Sequence, residues 1–280
     1  MADDFTDSTL VLVAHGSTQN ADSAKPANQH ADELRARRLF AKVRTGFLKQ
    51  QPEIGGVLQG IKAGRIFVVP LFISEGYYTG EVLPRELDLL TDDDGAFAHI
   101  RKKGEQTLLY CRPIGTHTSM TDALLARATG VVDRHPFPHC PPKRDTTLFI
   151  AGHGTPENEN SRTAVEQQAA LIRATRVYAN VHAIFLEEEP RIESCIEQAA
   201  TRNIVIVPFF ISDGLHSRED IPIKLGEPEK RVQQRLSNGQ PTWVNPTERL
   251  GKRIWYSASI GTEPFIAEVI LARVREAAAG

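Results

Sequence analysis

IVIVPFFISDGLHSREDIP, residues Ile204 to Pro222, is the stretch that decides the fold of this chain. It opens with a run of branched and aromatic residues, Ile204 to Ile211, too short for a helix and apolar on both faces. Such a run reads as a strand covered on both sides within a parallel sheet. Pro208 interrupts it, so the ladder is expected to end near that residue. Ser212, Asp213 and Gly214 then make a turn, and His216 lands just beyond the strand's carboxyl end. That edge is where open α/β sheets bind ligands.

The stretch occurs twice. Ile66 to Pro84, IFVVPLFISEGYYTGEVLP, matches it at a constant offset of 138, pairing Pro70 with Pro208, Gly76 with Gly214 and Pro84 with Pro222. The same register runs backwards without a gap: Leu10 to Ser17 (LVLVAHGS) overlays Leu148 to Thr155 (LFIAGHGT), so His15 pairs with His153, and Pro52 pairs with Pro190. An ungapped register of this length identifies an internal duplication. The differences between the copies carry the chemistry. Tyr78 stands where the second copy has His216, and Lys49, Gln50 and Gln51 stand where it has Glu187, Glu188 and Glu189. One half holds two histidines and a carboxylate at the ends of neighbouring strands, and the other keeps only His15. The second half is therefore read as the chemical one.

Composition bounds the rest. A chain of 280 residues, 41% hydrophobic and 24% charged, suits a globular protein of two domains. A net charge of −2 offers no basic face for nucleic acid. No uncharged apolar run approaches the roughly 18 residues of a membrane span, and MADDFTDST lacks the regions of a signal peptide. Cys111, Cys140 and Cys195 show no paired spacing, so reduced thiols in the cytoplasm are expected.

The strand signals fall at Leu10–Ala14, Val43–Leu48, Ile66–Ile73 and Thr107–Cys111, then at Thr147–Ala151, Val181–Leu186, Ile204–Ile211 and Arg253–Ala258. Helix signals alternate with them, over about 27–41, 52–63, from 116 to near 130, 161–178 and 190–201, with a short one at 219–225 and one at the C-terminus. The expected class is α/β: two Rossmann-like lobes, each a parallel sheet flanked by helices, related by duplication. Residues 1–132 form the first lobe, 133–146 a proline-rich linker (DRHPFPHCPPKR and its flank) and 147–280 the second. His135, His139 and Cys140 imitate a metal cluster but read as part of a surface connection. Two polar stretches, Asp88–Gly104 with Asp92 to Gly95 inside it and Gly226–Lys252, read as irregular excursions. Cys195, Trp243 and Trp255 read as packing residues. G-x-S-x-G, G-x-G-x-x-G and the P-loop are all missing, so neither a nucleophile elbow nor a nucleotide site is supported.

His153, Glu187 and His216 each follow a strand of the same lobe. Parallel strands bring all three to one edge, where two neutral imidazoles and a carboxylate make a first-row metal site with positions left open. Open positions suit an ion in transit, and the carboxylate can also collect protons.

Those residues, LFIAGHGT at 148–155, Glu187 ahead of Pro190, FISDGLHSREDIP at 210–222 and the Ile-Gly-Thr at 114–116 and 260–262, resemble the class II chelatases of the sirohydrochlorin cobaltochelatase and ferrochelatase type. The G-x-H-x-x-x-D-I-P segment (Gly214, His216, Asp220, Ile221, Pro222) is the specific part. The resemblance implies two lobes facing a cleft that takes the tetrapyrrole, with the halves replacing the homodimer of single-lobe members, hence a monomer. It implies ATP-independent insertion of Co2+ or Fe2+ on the cobalamin or siroheme route, with no cofactor beyond the substrate metal. It carries the catalytic and metal-binding roles onto His153 and His216, and the acidic role onto Glu187. It leaves His15 and Tyr78 to touch the substrate, and cations to meet a polycarboxylated macrocycle: Arg162, Arg218 and Lys224 near the histidine loops, with Lys49 opposite. A metal or tetrapyrrole carrier without turnover is the alternative.

Overall fold

The computed structural model describes residues 4–91, 96–155 and 159–280. Strands β1 (Phe5–Ala14), β2 (Phe40–Phe47), β3 (Arg65–Pro70), β4 (Ile100–Lys103) and β5 (Gln106–Tyr110) form a sheet in the order β2-β1-β3-β5-β4. Strands β6 (Thr146–Gly152), β7 (Asn180–Phe185), β8 (Asn203–Pro208), β9 (Thr247–Arg249) and β10 (Lys252–Tyr256) repeat it as β7-β6-β8-β10-β9. Every pairing is parallel except at one edge, where β4 runs antiparallel to β5 and β9 to β10. The central strands are sealed on both faces, with Leu10 to Val13 and Ile204 to Val207 at 0% exposure. The α/β class and the duplication are thus as the sequence implies. β8 does end at Pro208, whose ring nitrogen has no hydrogen to extend the ladder.

The helices are α1 (Lys25–Arg37), α2 (Ile54–Val57), α3 (Leu83–Glu86), α4 (Met120–Arg134), α5 (Glu159–Ala174), α6 (Cys195–Gln198), α7 (Ile221–Lys224), α8 (Glu229–Ser237) and α9 (Ile266–Ala279). None of the helices among the described residues is long and apolar enough to cross a membrane. The helix expected over 27–41 stops at Arg37, because Arg38 turns left-handed (φ 55°) and β2 begins at Phe40. The crossovers over 52–63 and 190–201 hold only the single turns α2 and α6; Gly55 and Gly56 make α2 a poor helix. Gly226–Lys252 is not irregular: it contains α8 and β9. Helix α8 buries only Val232, with Leu236 half-buried one turn on, so its apolar face is just two residues long, and β9 exists through its pairing with β10. Residues Asp92 to Gly95 lie outside the described ones. Cys195, Trp243 and Trp255 are core residues, as expected.

The compact units do not divide at the proline-rich segment. One unit is Met1–Met120 with Pro264–Gly280, and the other is Thr121–Glu263. The last helix of each repeat has therefore changed partners. In the first unit, Arg273 of α9 is buried and donates Nε and Nη2 to the Pro113 carbonyl at 3.1 and 2.8 Å, and Nη2 to Thr116 Oγ1 at 2.7 Å. In the second, Arg127 of α4 donates Nη2 to Thr262 Oγ1 at 3.0 Å and lies 3.1 Å from the Glu263 carboxylate. Arg127 and Arg273 are equivalents at an offset of 146, the offset that also separates Ile114–Thr116 from Ile260–Thr262. Each arginine thus holds the Ile-Gly-Thr turn that belongs to the other repeat. The prolines of residues 136–142 mark where the chain leaves α4, which says nothing of which sheet α4 covers. That segment belongs to the second unit: Trp255 Nε1 donates to the His135 carbonyl at 2.8 Å, and Arg253 Nη1 to that of Phe137 at 2.7 Å.

Candidate functional site

In each sheet the chain leaves the first central strand toward one neighbour and then crosses to the other side, so the order reverses between β1 and β3, and between β6 and β8. Ligands of open α/β sheets bind beyond the carboxyl ends of the strands at such a point. His153 follows β6, Glu187 follows β7 and His216 follows β8 at that edge.

Local backbone features set each ring. The Glu187 amide donates to the His153 carbonyl at 3.1 Å, which brings the two residues side by side as the ladder frays. Gly154 has φ 64°, and a Cβ there would stand 3.0 Å from Phe185 Cβ, so only glycine fits this close left-handed turn. The turn presents the Gly154 carbonyl to His153 Nδ1 at 2.8 Å. His216 begins a π-turn, His216–Asp220, closed by the Ile221 amide on the His216 carbonyl. The turn is pinned from below. Tyr256 donates its hydroxyl to the Ser217 carbonyl at 2.7 Å, and Asp213 Oδ1 accepts from Ser217 Oγ at 3.0 Å and from the Ser259 amide at 2.9 Å. Single π-turns inside helical segments recur at functional sites. Here the turn sets His216 Nδ1 2.7 Å from Asp220 Oδ2.

A carbonyl and a carboxylate are acceptors only, so both Nδ1 atoms carry the hydrogen and both neutral rings leave the Nε2 lone pair available. The rings meet edge to face, centroids 4.7 Å apart at 80°. Glu187 Oε1 lies 3.7 Å from His153 Nε2. All three side chains are partly open to solvent, at 34% for His153, 51% for Glu187 and 49% for His216. Among the described residues no three His, Cys, Asp or Glu side chains already enclose one ion position. The arrangement is a histidine pair with an acid beside one ring.

The structure separates the three glutamates. Glu188 is held by Arg162 Nη1 at 2.7 Å and is 16% exposed, and Glu189 pairs with Arg191. Glu187 alone of the three turns to His153. Arg162 is taken up by Glu166 at 2.9 Å and Glu188, and lies over the Phe185 ring at 5.1 Å. Lys224 of α7 pairs with Glu193. Arg218 is exposed on the π-turn, two residues past His216.

The first unit repeats the frame with different side chains. His15 Nδ1 donates to the Gly16 carbonyl at 2.8 Å, but its ring meets Tyr78 at 5.0 Å, and Tyr78 packs with Tyr77 and Phe72. Val82 stands where the second unit has Asp220, and Lys49, exposed, where it has Glu187. Asp220 received no role from the sequence; its i, i+4 spacing from His216 was the available signal.

The family model described as CbiX matches residues 9–131 and again 147–277. The chain is 40% identical over 280 residues to the probable sirohydrochlorin cobaltochelatase of Halobacterium salinarum, covering 96% of this chain and 91% of that one. It is 30% identical over 138 residues to the sirohydrochlorin cobaltochelatase of Methanopyrus kandleri, covering 46% of this chain and 95% of the relative. Among solved structures, a multi-domain protein from Deinococcus radiodurans with structural similarity to chelatases superposes with a TM-score of 0.77 at 28% identity, covering 96% of this chain. This chain spans 55% of the length of that protein. The sirohydrochlorin chelatase SirB of Bacillus subtilis in complex with cobalt shares the fold, with a TM-score of 0.61 at 18% identity, covering 97% of this chain and 95% of that one.

Proposed function

The chain belongs to the CbiX family, and from that premise we propose that it is a metal chelatase that places Co2+ or Fe2+ into sirohydrochlorin or a related tetrapyrrole. The observation that carries the reading is the convergence of His153, His216 and Glu187 at the switch-point edge of the second sheet, with both imidazoles anchored through Nδ1. An entering ion must exchange water for other ligands, and the two imidazoles supply them while leaving positions open for the macrocycle nitrogens. The pyrrole protons must leave as the metal enters. Glu187, half exposed beside His153, is the group placed to accept them and pass them to water. His153, His216 and Glu187 are the catalytic and metal-handling residues of this reading, and the metal is substrate rather than resident cofactor. His15 and Tyr78 remain the substrate-touching residues of this reading, and Arg218 meets carboxylates of the macrocycle. Arg162 and Lys224, which also stand near the histidine loops, are held in ion pairs with Glu188 and Glu193. The reaction needs no nucleotide, in keeping with a sequence without a P-loop. We place it in the cytoplasm and as a monomer, the duplicated chain standing in for two short ones.

Mixing purified protein with sirohydrochlorin and Co2+ tests the reading. The absorbance of the metal-free macrocycle should convert over many turnovers per chain. Conversion that stops at one equivalent would leave a carrier in place of an enzyme, a reading favoured only by the loss of the second histidine from the first unit.

A further inference from the structure

Two anchors of the π-turn are common to both units. Tyr256 donates its hydroxyl to the Ser217 carbonyl at 2.7 Å, and its counterpart Tyr110 donates to that of Thr79 at 2.8 Å. The Ile-Gly-Thr glycines back the same loop. A Cβ on Gly261 would stand 1.8 Å from the Ile211 oxygen, and one on Gly115 2.0 Å from that of Ile73. Both glycine amides donate into the loop, Gly261 to the Phe210 carbonyl at 3.2 Å and Gly115 to that of Phe72 at 3.0 Å. These contacts place the loop whether its π-turn opens with His216 or with Tyr78.

Among the described residues a third anchor exists only in the unit that holds His216. Asp213 Oδ1 accepts from Ser217 Oγ at 3.0 Å, inside the turn, and from the Ser259 amide at 2.9 Å, in the chain leaving β10. One carboxylate oxygen thus ties the two segments together. The first-unit equivalents are Glu75 and Thr79 at the offset of 138, and Pro113 at 146. Proline has no amide hydrogen, so that position cannot donate at all. Glu75 is exposed, and the Thr79 hydroxyl turns back on the Gly76 carbonyl at 3.2 Å. Backbone shape does not account for the change: Pro113 sits at φ −62°, ψ 149° and Ser259 at φ −57°, ψ 153°. Nor does the serine side chain, since Ser259 is 1% exposed and its Oγ has no hydrogen-bond partner among the described residues. What Ser259 offers and Pro113 withholds is the amide hydrogen.

We propose that Asp213 is a positioning residue for His216: its carboxylate clasps the π-turn to the chain leaving β10 and so sets the ring that meets His153. The proposal rests on the chelatase reading and deepens it, by naming what holds one of the two metal-handling imidazoles in place. Hydrogen bonds to an ionised carboxylate are shorter and stronger than neutral ones, which suits a clasp made by two donors on one oxygen. Ser217 directly follows His216, so a shift of the turn moves the bond to Asp220 and the 4.7 Å ring pair together. Burial depresses the Arg127 guanidinium, and the charges of Glu263 and then Asp213 oppose it. Removing the carboxylate would therefore disturb α4 as well, and the Ser259 amide is the cleaner place to cut.

Ser259→Pro installs the residue the duplicate already uses and deletes one arm of the clasp. Its melting temperature should hold, because proline at a compatible φ restricts the unfolded chain and offsets the lost bond. Hydrogen exchange without metal should quicken at the Arg218 and Ile221 amides of the π-turn, and stay unchanged at Gly80 and Leu83 of the first unit. Co2+ titrated alone by its visible absorption should bind about tenfold more weakly, the low end for a group that orients a metal ligand. If the proline variant does not fold, Ser217→Ala cuts the other arm and should move both readouts the same way. A folded variant that keeps the wild-type exchange in its turn overturns the proposal, as does one that keeps a measured wild-type Co2+ affinity. So does a loss of affinity matched by a lower melting temperature and faster exchange throughout the second sheet, the mark of a merely structural role. Wild type that neither binds Co2+ nor inserts it removes the chelatase reading, and quickened exchange confined to the variant's π-turn then leaves the hold of Asp213 on His216 standing.

Discussion

His216 Nδ1 lies 2.7 Å from Asp220 Oδ2, four residues on within one π-turn. A carboxylate on the far nitrogen fixes the tautomer and the orientation of a metal-binding imidazole. Asp220→Asn keeps an acceptor oxygen but loses the charge, and Asp220→Ala loses both. Ala should lower apparent Co2+ affinity about 10- to 100-fold, with Asn between it and wild type. Initial rates against Co2+ concentration check this; equal rates for all three would remove Asp220 from the site.

The two units make opposite predictions for equivalent positions. His153→Ala and His216→Ala each delete a proposed ligand, so turnover should fall by more than the roughly hundredfold expected for losing the support behind a ligand. Tyr78→Phe, which keeps the ring that meets His15, should change the rate by less than about twofold. Comparable losses in all three would show that the units share the chemistry equally.

Neighbouring glutamates should separate activity from stability. Glu187→Gln should depress kcat for metal insertion and leave the melting temperature alone, because the carboxylate is 51% exposed and its contact is with His153 at 3.7 Å. Glu188→Gln should do the reverse. It breaks a largely shielded pair with Arg162, worth about 1 kcal/mol, or a fall of a few degrees in Tm. Calorimetry and steady-state rates on both variants decide it.

Exchange of the last helices predicts where each arginine acts. Arg273→Ala leaves the Pro113 carbonyl without its side-chain donors and Thr116 Oγ1 without its arginine donor, a loss of about 3 kcal/mol. Hydrogen exchange should quicken in β3 and β5, against which α9 packs, although residue 273 belongs to the second repeat in sequence. Arg127→Ala should instead quicken exchange near Ile260–Thr262. Protection lost only within the repeat that carries the mutation would contradict the exchange.

Acid sensitivity has an assignable part. Burial holds His117 and His182 below the ordinary 6.5, with Arg273 and Arg173 respectively adding to the depression. A depressed folded value means the unfolded chain binds the proton more readily. The stability is therefore present above about pH 6.5 and is lost as pH falls through the folded values. Glu263, raised by burial, works the other way, its contribution present below 4.5 and lost as pH climbs. The melting temperature should drop as pH falls below about 6.5, and His182→Gln should flatten that slope. An unchanged slope in the variant would locate the sensitivity elsewhere.

Periodicity and register made the duplication, the parallel sheets and the edge carrying His153, Glu187 and His216 legible, because buried strands are apolar throughout and an ungapped repeat needs no structure to be seen. Asp220 was visible as a letter in a motif; its bond to His216 depends on the π-turn, which no residue pattern announces. Helix α8 had only the short stripe of Val232 and Leu236 to reveal it, inside an otherwise polar segment.

By itself, then, the sequence determined what is local or repeated: strand identity, the strand ends that hold the histidines, and the loss of one imidazole from the first copy. Only the tertiary structure decided which sheet each final helix covers, which glutamate turns toward His153 and which arginine is consumed by an ion pair. Those outcomes depend on contacts such as Arg273 with Thr116 and Arg162 with Glu188. Their partners lie 157 and 26 residues apart in the chain, and separation along the chain carries no information about direction in space.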